Sequence, residues 1–343
     1  MRTLVRRASM AAVITLTVSQ LASPTLATQD RSSIGRVVAE ITVARGTPGF
    51  VFDGTFGAGA LWVSGGNDTI TRIDPATNAV VATIAVGSGF RHEIAVGAGG
   101  VWVTNPDDNT VSRIDPATNS VVATIGSAGF FPIGVTTTTG AVWVGNHHAN
   151  PADENSTGSV ARIDPGTNQV VSLIPVGAPT FTGGPGGMAS AGGLVWVGVP
   201  NIGGVVAIDP ATDAISAYVA VGACGAPGGD SGTLWMPSGG CASPSSAIAK
   251  IDAGSRSLNL LANPGGMAWF AAIGFGATWV SVTSLSCPPK CPPTSRALVR
   301  LDPITGDVLG RLSTDGFGFV AVGAGSVWAG MGESGRVVRL DPN

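Results

Sequence analysis

Few side chains of this 343-residue chain could take part in chemistry, because it contains only three histidines and one tyrosine. His92 is followed directly by Glu93, and Asp53 stands at the position of Glu93 one repeat unit earlier. An imidazole beside carboxylates could transfer protons or hold a divalent cation such as magnesium. A solvated polar rim explains the same residues without catalysis, so both interpretations stay open.

The other two histidines lie together at the start of a polar segment. His147 and His148 open the sequence HHANPADENSTG, which also contains Asp153 and Glu154. Four imidazole and carboxylate groups within eight residues are typical ligands of a metal ion. The segment is also rich in Pro, Asn and Gly, as flexible polar loops are, so a plain loop is the alternative.

The overall composition excludes several classes of protein. Charged residues make up 11% of the chain, glycine accounts for 51 residues, and the net charge is −3. Only two lysines occur, Lys250 and Lys290, and no basic patch is present. A nucleic-acid partner is therefore not expected, because phosphate binding depends on clustered cations. The glycine content and the lack of a Glu/Lys-rich amphipathic pattern favour short strands over a coiled coil or helical solenoid.

The N-terminus has the pattern of an export signal. Three arginines within the first seven residues precede an apolar stretch, Met10 to Ala22, and the small-residue run Thr25-Leu26-Ala27 follows. This order predicts a signal peptide over residues 1–27, with cleavage after Ala27 or, as second choice, after Ala22. A first structural helix or strand is the alternative. No later apolar run is long enough to span a membrane, so a secreted or periplasmic protein is expected, with a short linker over 28–34.

A single sequence unit recurs seven times and predicts the fold. Segments 57–87 and 97–126 share the run RIDPATN, followed after one residue by VVATI. A tryptophan follows a glycine-rich turn in each unit, at Trp62, Trp102, Trp143, Trp196, Trp235, Trp279 and Trp328. An aspartate follows in each unit, at Asp74, Asp115, Asp164, Asp209, Asp252, Asp302 and Asp341. About 45 residues per unit is the size of a four-stranded propeller blade.

Each unit reads as four strands, called A to D from the first to the last. Strand B contains the tryptophan, strand C ends at the aspartate, and strand D is the VVATI run. The last unit stops after strand C, while residues 35–47 resemble a strand D. We therefore predict an all-β, seven-bladed β-propeller over 35–343, in which this N-terminal strand completes blade seven. The predicted blades cover residues 49–87, 90–126, 130–177, 183–222, 223–262, 265–313 and 317–341.

Two motifs resemble a known family. The run Trp102-Val103-Thr104-Asn105, followed by RIDPATN, resembles the YVTN-type β-propeller repeat, which shares its architecture with the streptogramin B (virginiamycin B) lyases. The segment Arg91-His92-Glu93-Ile94 resembles the His-x-Ile element that those lyases carry before strand A. The resemblance implies that His92 and Glu93 act with magnesium at the mouth of the central channel. Only blade two carries the histidine here.

The insertions predict which face of the propeller carries the functional site. The interval from tryptophan to aspartate is 12 or 13 residues in four blades, and it lengthens to 21, 17 and 23 residues in blades three, five and six. The extra residues therefore lie in the B–C loops. These loops share one face with the D–A connections, and long variable loops typically carry function.

The cysteines fall on the same face. Cys224 lies in the D–A connection that enters blade five, and Cys241 lies in that blade's B–C loop. Cys287 and Cys291 lie in the CPPKCPP loop of blade six. We expect disulfides Cys224–Cys241 and Cys287–Cys291, as is usual for exported proteins. Free or metal-bound thiols are the alternative.

The residues next to each strand A should surround the central opening. Alignment on the tryptophans places six candidate ligand-binding residues there: Phe52, Asp53, Phe131, Trp269, Phe270 and Phe319. The aromatic members could form an apolar floor for a ligand, and ordinary loop packing explains them as well.

Two functions from different classes remain. The leading prediction is a propeller that binds a small molecule, a polysaccharide or a protein on its B–C/D–A face, with no identified catalytic centre and no identified cofactor. The alternative is a metal-assisted lyase or hydrolase centred on His92 and Glu93, which would need a divalent cation such as magnesium. A structural scaffold is a third interpretation.

Overall fold

A computed structural model describes residues 34–43, 51–65, 67–90, 92–127, 129–148, 157–177, 186–223, 225–238, 247–283, 296–316 and 318–343. These residues form seven four-stranded antiparallel sheets. The innermost strand of each sheet contacts that of the next, and the last contacts the first. The prediction of a seven-bladed propeller is therefore confirmed. One 3₁₀ turn, Pro200–Ile202, interrupts the all-β pattern in the described part of the chain.

The strand bounds follow the seven sequence units closely. Strand β1 spans Arg36–Thr42. Blade one contains β2 (Val51–Gly57), β3 (Ala60–Gly65), β4 (Thr69–Asp74) and β5 (Ala79–Ala85). Blade two contains β6 (Ile94–Gly97), β7 (Gly100–Asn105), β8 (Thr110–Asp115) and β9 (Ser120–Gly126). Blade three contains β10 (Phe130–Thr138), β11 (Ala141–His148), β12 (Ser159–Asp164) and β13 (Gln169–Pro175). Blade four contains β14 (Met188–Ala191), β15 (Leu194–Val199), β16 (Gly204–Asp209) and β17 (Ala214–Ala220). Blade five contains β18 (Gly228–Gly229), β19 (Thr233–Pro237), β20 (Ile248–Asp252) and β21 (Ser257–Ala262). Blade six contains β22 (Met267–Gly274), β23 (Ala277–Thr283), β24 (Arg296–Leu301) and β25 (Val308–Thr314). Blade seven contains β26 (Val320–Gly323), β27 (Ser326–Gly330) and β28 (Arg336–Asp341).

The position of a strand in its blade explains its residue pattern. Strand β7, the tryptophan strand of blade two, is buried along its whole length because blades pack on both of its faces. Strand β9, the outermost strand of the same blade, alternates between more exposed and less exposed residues, as a half-solvated strand does. The recurring tryptophans are core residues, and all seven are fully buried.

The recurring aspartates organise the turns between strands C and D. In blade two, Asp115 Oδ1 accepts a hydrogen bond from Ala117 N at 2.9 Å, and Asp115 Oδ2 accepts one from Thr118 Oγ1 at 3.0 Å. Asn119 closes the turn with a φ of 54°, a conformation that asparagine tolerates better than most residues. The motif RIDPATN is thus explained by turn chemistry.

Blade seven draws its strands from both ends of the chain. Its sheet has the order β1-β28-β27-β26. Strand β1 pairs antiparallel with β28, from Arg36 opposite Asp341 to Thr42 opposite Arg336. Ile41 turns inward and joins the core between blades six, seven and one. Whether the ring depends on this strand stays a prediction.

Several predictions concern residues that the structure does not describe. The signal peptide over 1–27, nearly all of the linker, all four cysteines, Asp153 and Glu154 lie outside the described residues. The expected export and the expected disulfides therefore stay predictions. Within the described ranges, no helix is long and apolar enough to cross a membrane.

Candidate functional site

The seven innermost strands enclose a central cavity of about 340 Å³. Strand A residues line it, and many of them are small or β-branched, such as Ala95, Thr137 and Ala272. Among the described wall residues, the charged side chains are Asp53 and Glu93. The volume lies at the lower end of the range for small-molecule sites.

Asp53 joins blades one and two at the cavity wall. Its Oδ2 atom accepts a hydrogen bond from Ile94 N at 2.7 Å, at the start of β6. Its backbone N–H donates to Ser64 Oγ at 2.8 Å, and its backbone carbonyl accepts from the same hydroxyl at 3.2 Å. Burial raises the pKa of Asp53 to about 6, although backbone hydrogen bonds from Ile94 and Gly54 act in the opposite direction.

Because its pKa is raised, ionisation of Asp53 lowers the stability of the folded state. The pKa of the carboxyl in the folded state exceeds its ordinary value of 3.8, so its contribution to stability is full below about pH 4. That contribution is lost as the pH rises through about 6, because the folded state then releases a proton that it held more tightly than the unfolded chain. At neutral pH the ionised carboxylate costs about 3 kcal/mol. Perturbed carboxyls in cavities are typical of functional positions.

We expect Asp53→Asn to stabilise the protein more at pH 8 than at pH 4. The amide oxygen still accepts from Ile94 N, while the buried charge is removed. Denaturant unfolding at both pH values should show a difference in free energy of about 2 kcal/mol between the two comparisons. Asp74→Asn is a matched control of opposite sign. Hydrogen bonds from Ala76 N and Thr77 Oγ1 lower the pKa of Asp74, so this variant should lose stability at neutral pH. An Asp53→Asn variant with no pH-dependent gain would contradict the expectation.

Glu93 lies on the same wall and is buried, with 8% of its surface exposed. Its backbone N–H donates to Thr104 Oγ1 at 3.0 Å, and its carbonyl accepts from Thr104 N at 3.1 Å. The Thr104 hydroxyl in turn donates to the carbonyl of Ile133 in blade three at 3.2 Å. Thr104 thus fixes the entry to β6 and connects it to the next blade.

His92 lies in different surroundings from Glu93. Its ring is fully buried, and His92 is not among the wall residues of the cavity. Its Nδ1 atom is 2.7 Å from the Thr104 carbonyl oxygen, so Nδ1 must carry the hydrogen. Its Nε2 atom is 3.4 Å from Asp68 Oδ1, which also accepts from Gly89 N. The imidazole thus connects the end of β7 to Asp68. A joint catalytic role of His92 with Glu93 stays a prediction.

Three of the predicted aromatic residues lie close together. Phe52 and Phe270 form an edge-to-face pair with ring centroids 5.7 Å apart, and Phe270 also lines the cavity. Trp269 is partly buried beside them and donates from Nε1 to Thr283 Oγ1 at 3.0 Å. Edge-to-face aromatic pairs at a cavity offer both an apolar surface and ring edges to a ligand.

The other two aromatic candidates lie elsewhere. Phe319 is fully buried in the core, and a Cβ atom added to Gly54 would come within 2.6 Å of its ring. Phe319 is not among the wall residues of the cavity, and the small residue opposite its ring gives it room in the core. That Phe319 faces a ligand stays a prediction. Phe131 lies in blade three, where its ring packs edge-to-face on His147 with centroids 5.8 Å apart.

The backbone at Phe131 has an unusual conformation. Its φ is 54°, which is rare for a bulky residue, and its N–H donates to Asn109 Oδ1 at 2.8 Å. The predicted metal ligands near His147 are not tested, since the side chain of His148 and residues 149–156 are not described. Within the described residues, no three His, Cys, Asp or Glu side chains form a group that could hold a metal.

Sequence reasoning missed two residues that position the site. Ser64 and Thr104 each stand two positions after the strand-B tryptophan, and each binds the backbone of an inner-strand residue with its hydroxyl. A hydroxyl residue near the end of an otherwise apolar, buried strand was the available signal. The sequence does not show which backbone group such a hydroxyl binds, because this depends on the strand that packs against it.

Comparisons with known proteins support the repeat architecture. A family model described as "Repeat of unknown function (DUF6923)" matches residues 29–172, which is less than half of the chain. Hydrazine synthase of Kuenenia stuttgartiensis is similar in structure, with a TM-score of 0.63 and 16% identity, over 88% of this chain and 99% of that chain. The WD40 domain of Neurospora crassa Pan2 is similar with a TM-score of 0.67 and 11% identity, over 91% of this chain and 97% of that chain. No curated protein matches. At these identities, the likeness shows the fold alone.

Proposed function

We propose that this chain is an exported propeller that binds a small ligand at the mouth of its central cavity, and that this ligand combines a basic group with an apolar body. One observation carries the proposal: the described charged groups of the cavity wall, Asp53 and Glu93, are both acidic. Phe270, which pairs with Phe52, lines the same cavity. A protonated amine would meet the carboxylates, while its apolar part would meet the rings.

The cost of ionised Asp53 supports this choice of ligand. Burial dominates the pKa of this carboxyl, so a cation from outside would recover much of the lost free energy on binding. Many basic side chains of the protein are engaged elsewhere. Arg72, Arg113 and Arg339, for example, donate to turns between strands C and D, which belong to the opposite face of the propeller.

The binding of model amines tests the proposal. We expect phenethylamine to bind at least ten times more tightly than phenethyl alcohol at pH 7.5, because a partly buried carboxylate interacts more strongly with an ammonium than with a hydroxyl. Asp53→Asn should abolish this preference. For the wild type, the preference should decline as the pH falls below about 6, where Asp53 becomes protonated. Isothermal titration calorimetry measures both affinities.

Asp107→Asn provides the matched control. Asp107 is exposed and is not a wall residue, so the same loss of charge should leave the preference for the amine unchanged. Equal affinities for the amine and the alcohol would overturn the cationic-ligand proposal. A preference that survives in Asp53→Asn would show that the amine binds elsewhere.

The other expectations from the sequence remain hypotheses beside this one. Resemblance to YVTN-type repeats and streptogramin lyases would make the cavity mouth catalytic, with His92 and Glu93 acting together on a magnesium-bound substrate. Nothing in the described residues favours that alternative, since the His92 ring contacts the Thr104 carbonyl and Asp68 instead of the cavity. A polysaccharide or protein bound on the B–C/D–A face stays an alternative occupant.

A further inference from the structure

Basic side chains of the C strands connect neighbouring blades. In blade one, Arg72 stacks over Trp62, with its Cζ atom 5.1 Å from the ring centroid. Its Nη1 atom donates to the carbonyl of Pro116 at 2.6 Å and to Asn119 Oδ1 at 2.7 Å, both in the C–D turn of blade two. We call this arrangement the interblade clamp: a cation on the blade's own tryptophan, bonded to the next blade's turn.

The interblade clamp recurs around most of the ring. Blade two uses Arg113 toward Pro165 and Asn168, and blade seven uses Arg339 toward Pro75 and Asn78. The remaining clamps connect Arg162 to Asp213, Lys250 to Pro303 and Arg300 to Pro342. Each of these cations also lies over the tryptophan of its own blade. Six of the seven junctions are thereby tied by a charged hydrogen bond, and such bonds are stronger than neutral ones.

The junction between blades four and five differs from the other six. Ala207 stands opposite Trp196, where the other blades carry Arg or Lys. The turn over 252–256 reads Asp-Ala-Gly-Ser-Arg and lacks both the proline and the asparagine. Ala253 packs so closely on Gly192 that a Cβ atom added to the glycine would lie 2.5 Å from the Ala253 Cβ. That contact joins the apolar cluster between these blades, so no clamp forms there among the described residues.

Few polar contacts cross this junction among the residues that the structure describes. Gly192 N donates to the Asp230 carbonyl at 3.1 Å, and Arg256 Nη1 donates to the Ser216 carbonyl at 3.4 Å from an exposed position. Strand β18, the inner strand of blade five, has only two residues. The junction between blades seven and one, close to the two ends of the chain, differs from it. There, a hydrogen bond from Val51 N to the Gly332 carbonyl at 2.9 Å adds to the Arg339 clamp.

We propose that the ring opens first between blades four and five, and not where the two ends of the chain meet. Opening there breaks no interblade clamp among the described residues and leaves the pairing of β1 with β28 intact. Among the described residues, the junction between Ala207 of blade four and Ala253 of blade five is therefore the one without a clamp. Opening of this junction would loosen the ring without separating the two ends of the chain.

Buried valines at equivalent positions of the C strands allow a direct test. Val205, Val337 and Val111 are fully buried and pack against blades five, one and three respectively. Each is replaced singly by cysteine, a smaller side chain, and the rate of maleimide labelling is measured on the folded protein. The wild-type chain gives the background from its own four cysteines. We expect Val205→Cys to be labelled at least ten times faster than Val337→Cys or Val111→Cys.

A second variant tests the cause. Arg113→Ala removes the clamp between blades two and three, so it should raise the labelling rate of Val111→Cys toward that of Val205→Cys. Arg36→Ala, which removes an exposed arginine with only a 3.9 Å ion pair, should not change it. Equal rates at the three valines, or fastest labelling of Val337→Cys, would overturn the proposal. Should a cysteine variant fail to fold, hydrogen exchange on the wild type must show faster exchange in β16 than in β28.

Discussion

A chain that lacks residues 35–47 is expected to lose its cooperative unfolding transition and to aggregate. These residues contain β1, the outermost strand of blade seven, and its removal leaves the backbone groups on the outer edge of β28 without partners. An unpaired, regular strand edge is a template for association with other chains. The deletion also removes Ile41 from the core shared by blades six, seven and one. Size-exclusion chromatography and thermal unfolding followed by circular dichroism measure both effects.

Two substitutions on β1 test whether the strand must pack its side chains into the core, or whether its backbone pairing is enough. Ile41 is 7% exposed, whereas Val38 is 40% exposed. We expect Ile41→Asp to reproduce much of the defect, because it places an unpaired charge in an apolar core. Val38→Asp should be tolerated. A deletion variant that is soluble and unfolds at the wild-type temperature would show that the ring closes without its N-terminal strand.

The repeat made the fold predictable because its signals are local. The tryptophan spacing and the Asp-Pro-Ala-Thr-Asn turns depend on residues within one blade, and the four strands of the third unit, β10 to β13, form one sheet. Trp102 and Asp115 have the buried and turn-forming roles that their recurrence suggested.

The candidate site was less predictable because its properties come from contacts between blades. His92 and Glu93 are adjacent in the chain, yet only Glu93 lines the cavity. The interblade clamps join residues far apart in sequence, such as Arg72 and Asn119. Asp53, whose pKa is raised by burial, binds Ile94 N of the neighbouring blade with its carboxylate. No local pattern carries this information, since each feature needs the neighbouring blade in place.

Phe319 shows most clearly that a sequence alignment does not reveal how deeply a side chain is buried. Its position relative to the tryptophan is the same as that of Phe270, so both were expected at the mouth of the channel. In the structure, Phe270 lines the cavity while Phe319 is fully buried. Gly54 and Gly330 explain the difference, because Cβ atoms at these positions would lie 2.6 Å and 2.7 Å from the Phe319 ring. The two glycines leave room for the ring in the core.

We therefore expect Phe319→Ala to destabilise the protein by about 3 to 5 kcal/mol, the usual cost of removing a buried phenylalanine. Denaturant unfolding measures the loss. Gly54→Ala should also destabilise the protein, since the added methyl group would collide with the same ring. Phe52→Ala is the matched control. Phe52 is only partly buried and pairs with Phe270 at the cavity, so its truncation should cost less stability and should weaken phenethylamine binding instead. If Phe319→Ala left stability unchanged and reduced binding, Phe319 would be a ligand contact, as its sequence position first suggested.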